Sequence, residues 1–143
     1  MALTYNKFNS FVSELGLMGH QLNTDTHKVA LTNTAPVATN TIFANITDLT
    51  AGNGYTAGGS GATNSYSASG GIGTLTASQI VWTGGASAMA TFRYAVYYNS
   101  NTHNVVAPLI GWWDYGSGIT LNPGETATFK PNSSSSGTVF TIA

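Results

Sequence analysis

Two aromatic and aliphatic runs of strand length dominate the hydrophobic pattern. Residues 91–98 (TFRYAVYY) and 108–115 (PLIGWWDY) are parted by the polar stretch 99–104. Enrichment in aromatic and β-branched side chains around a polar break predicts a β-hairpin with a loop of medium length. In the first run Phe92, Tyr94, Val96 and Tyr98 alternate with Arg93, Ala95 and Tyr97. Successive strand residues point to opposite faces, so neither face of this strand suits water. A register that sets Arg93 opposite Asp114 pairs the only charges in the two runs. It groups Leu109, Gly111 and Trp113 with the Phe92 face, and Ile110 and Trp112 with the Arg93 face. Phe92, Tyr94, Val96 and Trp113 are then the expected core. Arg93, Tyr97, Ile110, Trp112 and Asp114 form the expected contact surface, a candidate subunit interface.

The rest of the chain follows the same logic. Tyr5, Phe8, Phe11, Val12 and Leu15 recur at helical spacing between a possible Thr4 cap and Gly16, which predicts a short amphipathic helix. Residues 16–25 read as a linker, so residues 1–26 form an expected helix-and-linker arm ahead of a domain over residues 27–143. Residues 28–32 alternate as a strand with Val29 and Leu31 inward, and Pro36 follows its end. Ile42, Ile46 and Leu49 are spaced four and three apart, as in a brief helical turn. Strands are expected at 74–77 and 79–83 with a break near Ser78. A hairpin of 119–121 with 126–130 is expected across the turn Asn122-Pro123-Gly124-Glu125. A serine-rich turn over 132–137 precedes a last strand at 138–142. Short, regularly punctuated strands argue a mainly β, single-domain sandwich or barrel-like fold with a short N-terminal helix.

Composition changes the picture at one point. Charged residues are only 6% of 143, against about 25% in ordinary soluble domains. Thr, Ser, Asn and Gly must hydrate the surface, and such surfaces cost less to bury against another polar surface than Lys or Glu would. A net charge of −1 offers no footprint for nucleic acid. With no cysteine there is neither a disulfide framework nor a thiolate site. No apolar run approaches the length of a signal or membrane segment, so the expectation is a protein made in the cytoplasm with no membrane partner.

Candidate chemistry fails on context. The glycine-rich stretch 51–61 has neither the following helix nor the lysine of a phosphate-binding loop. His20, Asp25 and His27 match no metal-ligand spacing and read as solvated linker residues. Of the carboxylates Glu14, Asp25, Asp48, Asp114 and Glu125, only Asp48 with Asp114 is a conceivable glycosidase pair, and Asp114 has a better partner in Arg93. No nucleophile elbow is present. The expectation is no catalysis, no cofactor and no metal. The aromatics Tyr97, Trp112 and Tyr115 suggest an alternative, stacking on sugar rings, if they lie exposed in a row.

Several segments together resemble small β-rich virion proteins of tailed bacteriophages. They are residues 20–36 (HQLNTDTHKVALTNTAP), 45–49 with 52–59 (NITDL, GNGYTAGG), 92–96 (FRYAV) and 109–116 (LIGWWDYG). The resemblance spans most of the chain in order, in structural rather than active-site motifs. It implies a capsid decoration or cement protein: a homotrimer on the virion's capsid surface that bridges capsomers of the major capsid protein. Candidate capsid contacts are Tyr5, Phe8, Phe11, Asn53 and Tyr55. The alternative is a tail or head-fibre component that binds host glycans.

Overall fold

The structure, a computed structural model, describes residues 4–132 and 136–143. The fold is mainly β and sandwich-like, with one short helix. Its elements are β1 (Thr4–Lys7), α1 (Ser10–Gly16), β2 (His27–Thr32), a 3-10 turn (Phe43–Asn45), β3 (Ser60–Ala62), β4 (Asn64–Ser69) and β5 (Ile72–Ser78). They continue with β6 (Ile80–Thr83), β7 (Phe92–Asn99), β8 (Leu109–Ile119), β9 (Thr126–Phe129) and β10 (Ser136–Ile142). A five-stranded antiparallel sheet runs in the order β1-β8-β7-β2-β3. A three-stranded sheet, β10-β5-β4, and a two-stranded one, β6-β9, complete the architecture.

One core fills the space between these sheets. Val29 and Leu31 of β2, Tyr97 of β7 and Ile110 and Trp113 of β8 meet Leu75 and Ala77 of β5, Trp82 of β6 and Phe129 of β9. β5 shows why it packs there: Gly73, Leu75 and Ala77 are buried at every second position, the period of a strand with one face inward. A second cluster covers the other face of the large sheet. Phe8, Ala30, Val96, Tyr98 and Leu109 are buried there, with Phe43, Ile46 and Trp112 packed against them. The two apolar faces of the hairpin are thus both closed within one protomer.

The sequence pattern misplaces the N-terminus. Residues 4–7 form an edge strand on β8 rather than helix, pairing Thr4 with Asp114 and Lys7 with Gly111. The long β8 offers unpaired backbone groups, and satisfying them outweighs the local helical periodicity. Gly111 makes this possible, since a Cβ there would meet the Tyr5 ring and the Asn6 carbonyl. Phe8 then turns into the second cluster with no exposed surface, and only Ser10–Gly16 is helical. The expected arm of residues 1–26 is, over its described part, built into the domain.

The hairpin register differs as well. Tyr94, not Arg93, lies opposite Asp114, and irregularities fall between Phe92 and Tyr94 and between Tyr97 and Tyr98. A one-residue slip exchanges the faces. Trp113 therefore lies opposite Ala95 and in the same core as Tyr97, while Val96 faces the second cluster. The turn at 122–125 forms, with Asn122 N donating to Glu125 Oε2 at 2.8 Å. Its expected hairpin does not, because β9 pairs with β6. The break at Gln79 and the helical turn near Ile42 are present. The serine-rich turn falls partly on residues 133–135, outside the described residues.

Candidate functional site

The five residues expected as a subunit interface do not share a surface. Tyr97 and Ile110 are fully buried in the main core. Trp112 lies on the other face, its ring 4.5 Å from that of Phe8. Trp112 is half-buried, and Arg93 and Asp114 reach solvent with each side chain about one-third exposed. They form a two-point ion pair: Arg93 Nε donates to Asp114 Oδ1 at 2.7 Å and Nη2 to Oδ2 at 2.9 Å. The Gly116 amide adds a third bond to Oδ1 at 2.7 Å. Hydrogen bonding to Arg93 holds the Asp114 carboxyl below the usual carboxylate range, and Asp114 likewise raises the guanidinium.

The expected capsid contacts separate in the same way. Phe8, Phe11 and Tyr55 are buried and Tyr5 is half-buried, so their apolar surface is spent inside the protomer. Tyr55 pins the glycine-rich loop: its hydroxyl donates to Asp48 Oδ1 at 2.5 Å and accepts from the Leu31 amide at 3.1 Å. Asp48 Oδ2 takes the Gly58 amide at 2.7 Å. Burial is the main reason that the Tyr55 hydroxyl titrates far above its ordinary value. Asn53 stays exposed, in a left-handed conformation with φ 52°.

Exposed apolar surface lies elsewhere, around the end of α1. Val12 is 57% exposed, Leu17 62% and Met18 69%. Met18 has φ 62°, a left-handed conformation that a side chain other than glycine adopts at a cost of about 1–3 kcal/mol. The turn is held by Leu17 N donating to Ser13 O at 3.0 Å and Gly19 N to Glu14 O at 2.7 Å. The start of the helix is tied to the segment carrying exposed Val37, through Asn9 N to Ala38 O at 2.9 Å.

His20, Asp25 and His27 are not solvated. All three are buried, and His20 and Asp25 join Asn99 and His103 in a polar knot that closes the far end of β7. Asp25 Oδ1 bonds His103 Nε2 at 2.8 Å. Its Oδ2 accepts from Asn99 Nδ2 at 2.5 Å and the Gln21 amide at 2.7 Å. His27 Nδ1 meets the Tyr97 hydroxyl at 2.9 Å. Burial pushes His20 and His27 down to about 4, so both rings are neutral at pH 7. Burial alone would raise the Asp25 carboxyl, but the bonds from Gln21, His103 and Asn99 outweigh it and hold the group below its ordinary value. The second half of this knot comes from the end of β7, Asn99, and from the loop between β7 and β8, His103. Their sequence signal is slight: the chain's three histidines fall at the two ends of segments that the fold brings together.

Among the described residues, no three His, Asp or Glu side chains converge to hold a metal ion. No helix among them is long and apolar enough to cross a membrane. The sugar-stacking row of Tyr97, Trp112 and Tyr115 is not assembled, since only Tyr115 is exposed. The chain has no match among protein-family models, curated proteins or solved structures.

Proposed function

We propose that the chain is a structural virion protein, a capsid decoration or cement protein that forms a homotrimer on a phage capsid and bridges subunits of the major capsid protein. The observation that carries this reading is the apolar knob Val12, Leu17 and Met18, standing on a chain with 6% charged residues. A strained left-handed methionine held in solvent costs stability to the free protomer, and contact with a partner would recover that cost as buried apolar area. The resemblance to small virion proteins supplies the kind of partner. A protein that binds only the assembled lattice shifts the equilibrium away from disassembly by mass action. Trimer symmetry repeats each small contact three times, so modest patches suffice. In this reading the protein is made in the host cytoplasm, acts on the virion surface and performs no catalysis. The contact set becomes Val12, Leu17 and Met18 with Asn53, in place of the buried Tyr5, Phe8, Phe11 and Tyr55.

The test is co-sedimentation of the purified chain with empty phage shells, alongside its solution mass. The wild-type chain is expected to bind the shell at many sites. The double substitution Leu17→Ser and Met18→Ser should abolish binding or trimer formation while leaving the thermal midpoint unchanged. A chain found only at the tail tip by imaging of particles would overturn the decoration reading in favour of the tail or head-fibre alternative.

A further inference from the structure

The sheet edges differ in how well they are closed. An edge strand exposes unpaired N–H and C=O groups, and proteins blunt such edges with charge, proline, bulges or short length. β1 ends on Lys7, β9 runs into Lys130 and Pro131, and β10 carries a register shift between Thr138 and Phe140. β3 and β6 are three and four residues long. β4 has none of these devices. It is six residues long, with the sequence NSYSAS, and keeps an unbroken register with β5 from Asn64 opposite Ala77 to Ser69 opposite Ile72. Residues 49–92, which include it, carry no Asp, Glu, Lys, Arg or His.

The phase of the hydrogen bonds fixes which groups are free. Ser78 N donates to Thr63 O at 2.8 Å, one step beyond the pairing of Asn64 with Ala77. Antiparallel bonds recur at every second pair, so Ser65, Ser67 and Ser69 are the residues that bond β5. The backbone N–H and C=O groups of Asn64, Tyr66 and Ala68 point the other way, and among the described residues they have no partner. The Tyr66 ring does not shield them, because it leans over Gly73, into the place that a Cβ there would take. Ser65, Ser67, Ala68 and Ser69 are exposed.

We propose that β4 is a docking edge for β4 of a second copy of this chain, antiparallel about a two-fold axis at Tyr66. Tyr66 then faces the partner's Tyr66, and Asn64 faces the partner's Ala68. Each strand offers three N–H and three C=O groups, so donors meet acceptors throughout and six main-chain bonds carry the sheet across both copies. Ser65 comes opposite the partner's Ser67 at a closer, non-hydrogen-bonded position, where the two hydroxyls can bond. Self-complementarity is what selects a second copy: one patch serves both sides, as two-fold pairing requires, and no charge in either strand opposes it. A single strand pair buries less than about 1,200 Å2, so the contact is weak, with a Kd on the order of 0.1 mM. The inference does not rest on shell decoration, since the isolated chain suffices to measure it, and the edge is separate from the apolar knob around α1.

The test is sedimentation equilibrium of the purified full chain from about 10 µM to about 1 mM, with amide hydrogen exchange at both ends of that range. The mass is expected to rise towards that of a dimer. Exchange at Asn64, Tyr66 and Ala68 should slow with it, while the Ser65 and Ser67 amides, already bonded to β5, change little. Ser65→Lys with Ser67→Lys sets like charges face to face and should weaken the dimer about tenfold, with the unfolding midpoint unchanged. Mixing that variant with one carrying Ser65→Glu and Ser67→Glu should restore association, because Lys then faces Glu. A chain that stays monomeric to about 1 mM would overturn the proposal, as would an oligomer of any size whose Tyr66 and Ala68 amides exchange freely. So would charge variants that associate like the wild type. Slowing of those amides only when phage shells are added would overturn it too, assigning the edge to a shell protein.

Discussion

The two ends of β7 carry the same kinds of groups and use them differently. At one end Arg93 and Asp114 make a two-point ion pair, about one-third exposed on each side. At the other, Asn99 enters a knot with Asp25, His20 and His103 in which Asp25 is only 4% exposed. The difference is what lies on top. Residues 19–26 and the loop after β7 fold over the Asn99 end, stitched by Ser100 N to Thr26 O at 2.9 Å and Thr26 N to Asn101 Oδ1 at 3.1 Å. The Arg93 end keeps its pair about one-third exposed. Removal from water makes a polar group costly to leave unpaired, so the covered end acts as a structural clamp while the open end can leave its remaining donors to water.

Acid should break this comparison most strongly. His20 and His27 are near 4 in the fold and about 6.5 when unfolded, so between those values the unfolded chain binds more protons. Stability is therefore full above about pH 6.5 and falls as the pH drops towards 4. Two shifts of this size amount to at most about 7 kcal/mol together, comparable with the whole stability of many domains. Urea unfolding at pH 7, 5.5 and 4 measures it. Substituting His20→Gln and His27→Gln should flatten the slope; a stability that stays level down to pH 4 would mean that both rings are solvated. Asp25 enters in a separate window, because a lowered carboxyl loses its contribution only on the acid side of the usual carboxylate range.

Removing the centre of the knot comes next. Asp25→Ala strips acceptors from the Asn99 amide, His103 and the Gln21 amide, in a site closed to water. A buried network broken from one side costs about 3 kcal/mol, or roughly 10 °C in thermal midpoint for a chain of this size. Faster hydrogen exchange at the Ser100 and Asn101 amides should accompany the loss, since those bonds hold the loop that the knot anchors. Asp25→Asn keeps the shape and one acceptor for the Asn99 and Gln21 amides but replaces the charged acceptor facing His103 with an NH2 donor, and should fall between wild type and alanine.

How far the sequence announced these two ends follows from range. Period-two alternation revealed β2, and glycine, proline and a spacing of four and three revealed the breaks and the turn near Ile42, because each is a local property. The Arg93–Asp114 bond was legible from charge scarcity, although the register that delivers it is shifted. The larger irregularity loops out residues 115–118 of β8, where Gly116 and Gly118 are its only local marks. β1 was hidden because its ladder partner lies more than 100 residues away, and three aromatic side chains three apart satisfy a helix and a strand-turn-helix equally. The knot was hidden for the same reason: Asp25 and His103 are 78 positions apart. Burial of Tyr97 and Ile110 turned an expected interface into core, since the covering strands β5, β6 and β9 carry no mark of which face they will choose.

The smallest expected effect is at the open end, and it separates the two ends most cleanly. Arg93→Ala, Asp114→Ala and the double substitution form a cycle whose coupling reads the pair itself. Exposed pairs gain little from their attraction, because water already solvates both charges and holding two side chains in register costs entropy. Each substitution should leave the thermal midpoint within about 2 °C of wild type. Loss of the guanidinium also removes its contact over the Tyr94 ring, 5.2 Å from the centroid, so Arg93→Ala should be the larger of the two. High salt should erase the coupling without touching the Asp25 knot, which ions cannot enter. If Asp114→Ala instead lost as much as Asp25→Ala, the pair would be part of the fold's support, and the contrast between a covered end that holds and an open end that does not would collapse.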